Sequence, residues 1–267
     1  MIVALQGGLC NTLFQYAFGI SVANARGEEI LFTRNRVDQD VKRCYSLDAF
    51  RADVRFAKEE TENKFYDTGS FNPDVYTAPP DTTFIGYWQS VKWFNEPLVR
   101  FELQLAQRPS EQTLRVADEI DAAGARSVFL HVRRGDYVSD KKTSEFHGNL
   151  SVDYYRKALV EIKMYEMEPK CFVFSDDPEW CREQFPKDFV IVDHNPPGDG
   201  QHPGREHEDL WLMGRCHHGV ISNGTFGWVG AWLGDYQRRR VVVAPKQWFA
   251  DPNMNSADIV PDRWTKI

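Results

Sequence analysis

The chain has 267 residues, 42% hydrophobic and 13% aromatic, which allows one large core or two smaller ones and argues against wholesale disorder. A formal charge of −7 disfavours a nucleic-acid backbone as the main partner, so any basic site must be local. Five scattered cysteines free of CxxC or metal-type spacing, an opening MIVALQGG that soon reaches glycine, and no apolar run of bilayer length lead to the expectation of a cytoplasmic protein with no integral membrane segment.

Residues 1–6 read as a strand, Gly7 and Gly8 as a tight loop, and residues 12–26 as a helix. The helix carries Leu13, Phe14, Ala17, Phe18 and Val22 near helical spacing and stops at Gly27. EILFT (29–33) is a second strand, whereas 35–80 is polar and irregular with no readable structure. TFIGYWQSVKWF (83–94) predicts a strand running into a packed turn. A helix over 110–123 follows, capped by Ser110 and ended by Gly124.

From there strands and helices alternate. SVFLHV (127–132), CFVFS (171–175), FVIVD (189–193), GVIS (219–222) and RVVVAP (240–245) read as strands. The intervening helices are 151–166 capped by Ser151, 177–185 with Asp177 as cap and Pro178 in its first turn, 207–216 and 225–236. Continuous apolar strands between helices predict an α/β architecture, a parallel sheet covered on both faces. A boundary near 124 divides a less regular first domain (1–124) from a Rossmann-like second (125–267), whose last residues are expected to pack back on the first. NPPGDGQHPGRE (195–206) is expected to be a mobile surface loop.

Ligands of open parallel sheets bind at the carboxyl ends of strands. Four polar clusters fall at such ends: 7–11, 131–136, 175–177 and 222–225. Because strand side chains alternate, His131 and Arg133 share one face while Val132 and Arg134 share the other. One guanidinium can then meet an anion while its neighbour is anchored elsewhere; a pair of structural ion-pair arginines fits the residues equally well. SNGTF leads into a helix, suited either to receiving an anion at its N-terminus or to ordinary capping by Asn223 or Thr225. The FSDD aspartates suit capping, a divalent cation or the N–H groups of a guanine base, with capping and base recognition favoured. GGLCN has neither P-loop nor dinucleotide spacing, and no histidine follows a metalloprotease pattern. Trp211, Trp228 and Trp232 read as core, while Trp88 and Trp93 are candidates for an acceptor groove.

Together GGLCNTLFQYAFG, GYWQSVKWF, HVRRGDYV, VFSDDPEWC, DLWLM, ISNGTFGWVGAWL and VVAPKQW resemble, in order and over almost the whole chain, the α-1,2-fucosyltransferases of family 11. The resemblance implies a GT-B-type fold, two Rossmann-like domains facing a cleft. It implies an inverting transfer of L-fucose from GDP-β-L-fucose to the 2-hydroxyl of a terminal galactoside, with no metal and no other cofactor. The implied partners are GDP-fucose and a glycan ending in galactose. Arg133 falls on the diphosphate, His131 and Asp177 on the guanosine end, and Asn223, Gly224 and Thr225 on the phosphates, with Ser222 and Phe226 also in the donor site. Gly7 and Gly8 belong to the donor site, and Asn11 lies in the loop facing fucose and acceptor.

Departures from the family pattern are Cys10, Thr12, Gly224, Gly227 and Val229, which bear on loop shape and acceptor preference. Transfer needs a base for the acceptor hydroxyl, and Asp136, Asp140, Glu145 and His147 are the candidates, with Asp136 favoured instead as an anchor for Arg134. The competing readings are a fucosyltransferase of α-1,3 linkage and a non-catalytic nucleotide- or glycan-binding protein on the same scaffold.

Overall fold

Ile2–Ala4 forms β1, a short apolar strand between two parallel neighbours, β2 (Leu31–Thr33) and β4 (Thr83–Ile85). The computed structural model describes residues 1–41, 43–236 and 239–267. It contains two units: Met1–Arg108 with Pro197–Gly204 and Asn255–Pro261, and Pro109–Pro196 with Arg205–Met254 and Asp262–Ile267.

In the first unit α1 (Leu9–Arg26) follows β1, and α2 (Asn35–Asp38) follows β2. β3 (Lys64–Tyr66) completes a parallel sheet in the order β2-β1-β4-β3, and α3 (Glu96–Glu102) closes the unit. The helix α1 is buried on nearly every face from Leu9 to Ala23. It begins three residues before the position read from its pattern, because Gly8 is the N-cap and offers no capping side chain as a marker. Asn11 therefore sits in the first helical turn, not in a loop, and a Cβ at Cys10 is accommodated there without strain. Gly27 closes the helix at φ 65°, its N–H shared by the carbonyls of Ala23 and Asn24. Trp88 and Trp93 are core residues, 1% and 3% exposed, rather than groove-lining ones: the Trp88 indole stacks on Phe18 at 3.9 Å between centroids.

The second unit starts with α4 (Glu111–Ala123), so the division falls at Arg108–Pro109 rather than at 124. The reason is local: Ser110 caps α4 by accepting the Thr113 N–H, and its own N–H and Oγ donate to Glu208 Oε2 at 3.2 and 3.0 Å. Then come β5 (Ser127–Val132), α5 (Gly135–Ser139), α6 (Lys141–His147), α7 (Val152–Lys163), β6 (Lys170–Ser175), α8 (Pro178–Gln184) and β7 (Val190–Val192). The unit continues with α9 (Glu206–Arg215), β8 (His218–Val220), α10 (Thr225–Leu233), β9 (Val242–Ala244) and β10 (Thr265–Lys266).

Every pairing of this six-stranded sheet is parallel, in the order β10-β9-β8-β5-β6-β7. β5 is buried throughout, and Val128, Leu130 and Val132 pack with Tyr155, Ala158 and Ile162 of α7. Its neighbours β6 and β8 run off to opposite sides, so the sheet order reverses there, and the crevice at its carboxyl end is where ligands of such folds bind. Of the 195–206 excursion, Pro197–Gly204 groups with the first unit.

Candidate active site at the carboxyl end of the second sheet

His131 is the penultimate residue of β5 and is 5% exposed. Its Nδ1 lies 2.8 Å from Ser222 Oγ, and its ring lies 5.5 Å from that of Phe226. Burial first, and then the positive charge of Arg133, pushes its pKa down to about 3, so the imidazole is neutral. The ring occupies the space a side chain at 227 would need: a Cβ on Gly227 would come within 2.6 Å of His131 Nδ1.

The two arginines part company as their strand faces require. Arg133 reaches Asp136 Oδ1 through Nη2 at 2.5 Å and Asp176 Oδ2 through Nη1 at 2.8 Å, with a third of its side chain exposed. Arg134 turns the other way. Its Nε donates to Asp177 Oδ2 at 3.0 Å, and its guanidinium lies 4.1 Å from the centroid of Trp180. Asp136 is thus the partner of Arg133 and not the anchor of Arg134, because Arg134 leaves the strand toward α8. Asp177 caps α8 as expected, accepting the Trp180 N–H at 3.2 Å with its other oxygen.

Asp176, which the sequence offered only as one of the paired FSDD aspartates, clasps the turn from both sides. Its Oδ1 accepts the Arg134 backbone N–H at 2.8 Å, while Oδ2 meets Arg133. A Cβ on Gly135 would lie 2.5 Å from that same Oδ2, so glycine is what lets the carboxylate close in. Tyr137 was missed as well. Arg133 lies 5.3 Å from the centroid of its ring, and its hydroxyl donates to Asn223 O at 3.2 Å. The ring also stacks on His147 at 4.5 Å between centroids. Tyr137 therefore ties the arginine turn to the 222–226 segment; the only sequence hint was an aromatic directly after the Gly-Asp turn.

No side chain caps α10, whose N-cap is Gly224. Asn223 instead sends Nδ2 to His147 O at 2.7 Å and to Trp248 O at 3.2 Å. Thr225 and Phe226 start the helix, and their end of its dipole is left for an anion. Of the base candidates, Asp140 accepts the Thr143 N–H as the cap of α6, and Glu145 is an exposed partner of Lys141. Asp136 and His147 stay with the arginine turn. Burial lowers the His147 pKa, Asp136 opposes this, and Arg133 reinforces it. Among the described residues no His, Cys, Asp and Glu side chains gather into a metal-ligand set.

Gly7, Gly8 and Asn11 lie together in the first unit, after β1. Gly7 has φ 79° and is tucked against Asn11, whose Oδ1 accepts from Gln89 Nε2 at 3.1 Å.

The sequence model of glycosyl transferase family 11 matches residues 56–267. The chain is 28% identical to an alpha-1,2-colitosyltransferase of Escherichia coli, over all of this chain and 98% of that protein. It is 35% identical to galactoside alpha-(1,2)-fucosyltransferase 1 of Mico humeralifer, over 40% of this chain but only 28% of that protein. Among solved structures it resembles POFUT1 in complex with GDP-fucose, with a TM-score of 0.50 and 13% identity over 90% of this chain and 96% of that one. That likeness, with the two parallel α/β units, places the fold in the GT-B class.

Proposed function

The chain belongs to glycosyl transferase family 11, and from that premise we propose that it transfers L-fucose from GDP-β-L-fucose to the 2-hydroxyl of a terminal galactoside, with inversion and without a metal. The observation that carries this reading is the arrangement at the end of β5. A partly exposed guanidinium, Arg133, and a helix N-terminus with no capping side chain are joined through Tyr137. Such a pair suits a diphosphate whose negative charge grows as the sugar leaves.

In the proposed step the bond between the fucosyl C1 and the β-phosphate oxygen breaks, and the acceptor O2 attacks C1 from the opposite face. The acceptor proton passes to a base, and GDP departs. Arg133 and the start of α10 stabilise the charge where it develops. Asp136 and His147 are the two remaining base candidates from the arginine turn. A neutral His147 can accept a proton, whereas Asp136 must first release Arg133. Ser222 holds the His131 ring that serves the guanosine end, and Gly7, Gly8 and Asn11 serve the sugar and the acceptor. Asp177 is assigned to the guanine N–H groups, using lone pairs beyond those taken by Arg134 and the helix cap.

A second donor is favoured by one finding, the end-to-end match to a colitosyltransferase. Colitose is L-fucose without its 3-hydroxyl, so the same site with one polar contact fewer would take GDP-colitose. Calorimetric titration with GDP, UDP and ADP in EDTA tests the donor half of the proposal. Tighter binding of GDP by wild type, with the preference blunted in Asp177→Asn, is the expected result. Equal affinity for UDP, or binding only after Mg²⁺ or Mn²⁺ is restored, overturns it.

A further inference from the structure

The first unit holds a second built constellation at the carboxyl end of β4. Trp88 has φ 55°, a left-handed conformation that a bulky residue adopts only when its surroundings enforce it. Three contacts do so. Asp67 Oδ2 accepts the N–H groups of Tyr87 and Trp88 at 3.1 and 2.7 Å. The Trp88 indole is buried against Phe18. Gln15 joins the ends of two strands, donating from Nε2 to the carbonyls of Gly86 and Gln6 and accepting the Gln6 N–H at 2.9 Å. The preceding Gly86 is packed so closely that a Cβ would fall 2.0 Å from Asp67 Cβ.

This rigid corner turns one aromatic side chain outward. Tyr87 is 46% exposed, while Trp88 and Ser90 are buried at 1% and 3%. Gln89, between them, reaches across to Asn11 in the first turn of α1. The strands concerned, β1 and β4, adjoin each other, with β2 on the far side of β1. The order of the sheet therefore reverses between them, where parallel sheets admit ligands.

We propose that Tyr87, with Gln89 and Asn11, is a saccharide-binding platform. The phenol ring stacks on the C–H face of a pyranose, and the two amides read its hydroxyls. Naming that sugar as the terminal galactoside of the acceptor rests on the function proposed above. A galactoside suits the platform because its axial 4-hydroxyl leaves the opposite ring face lined by C–H bonds, whose positive edges match an aromatic face.

Initial-rate kinetics of wild type, Tyr87→Ala and Tyr87→Phe with a methyl β-galactoside acceptor test this. The KM for the acceptor is expected to rise roughly five- to tenfold in Tyr87→Ala, with the KM for GDP-fucose unmoved, and Tyr87→Phe is expected to restore most of the loss. An unchanged acceptor KM in Tyr87→Ala, with wild type active, overturns the platform and leaves the proposed reaction standing. If wild type transfers no fucose, the reaction falls instead, and saturation-transfer NMR with methyl β-galactoside decides the platform. Ring-proton saturation in wild type that is lost in Tyr87→Ala supports it; equal saturation in both, or none in wild type, overturns it.

Discussion

Arg134 and Asp177 are joined by a 3.0 Å hydrogen bond from Nε to Oδ2, so the second arginine of the HVRRGD motif holds the start of α8. Its guanidinium also covers Trp180. Arg134→Ala is therefore expected to lower stability by about 1 kcal/mol, combining a cation–π contact with a partly exposed ion pair. Arg134→Lys should recover part of it. Urea denaturation of the two variants checks this, and an unaltered midpoint for Arg134→Ala contradicts the role.

Arg133 has the opposite profile. With Asp136 and Asp176 both within reach of water, removing the guanidinium leaves no deeply buried charge behind. Arg133→Ala is expected to keep its fold while kcat falls roughly a hundred- to a thousandfold. Near wild-type turnover with an intact circular-dichroism spectrum would remove Arg133 from the mechanism.

The two glycines that depart from the family pattern, Gly224 and Gly227, are not equivalent. A Cβ at 224 would meet nothing closer than 3.9 Å, while one at 227 would press on the buried His131 ring at 2.6 Å. Gly224→Ser is expected to change stability by only a few tenths of a kcal/mol, because glycine is itself a tolerable N-cap. Gly227→Ser should be destabilised by about 1–3 kcal/mol through overpacking and bind GDP more weakly. Thermal melts and GDP titration of both variants separate the two positions; a neutral Gly227→Ser would mean that the His131 ring yields.

Much of this was legible in the chain. The strands of the second unit read as continuous apolar runs because both faces of the sheet are covered, and the caps at Ser110 and Asp177 have the side chains that capping requires. β3 and β10 were not legible, since three residues at one sheet edge and two at the other carry no periodicity. The alternation of strand faces did separate Arg133 from Arg134. Their partners were not readable, because Asp176 and Asp177 arrive from another strand end. The same limit hid Tyr137, whose neighbours Asn223 and His147 come together only once α6 and α10 are in place.

The pH dependence of stability should carry the mark of His131. Its pKa is about 3 in the folded chain against an ordinary 6.5, through burial and the nearby Arg133 charge. Between these values only the unfolded chain takes up the proton. The stabilisation is therefore complete above about pH 6.5 and drains as the pH falls toward 3, at roughly 1.4 kcal/mol per pH unit inside the window. His218, held down to about 4 by burial, contributes equally in wild type and in a His131 variant. Urea unfolding between pH 7 and pH 4 should show a shallower acid slope for His131→Gln than for wild type; parallel slopes would contradict the buried neutral imidazole.

The most direct test of the proposed reaction is the product itself. Wild type is incubated with GDP-fucose and a terminal β-galactoside, and the linkage is assigned by NMR. The expected result is one equivalent of GDP released for each fucose joined as the α anomer to the galactose O2. Fucose found on O3, or transfer from GDP-colitose with none from GDP-fucose, would contradict it.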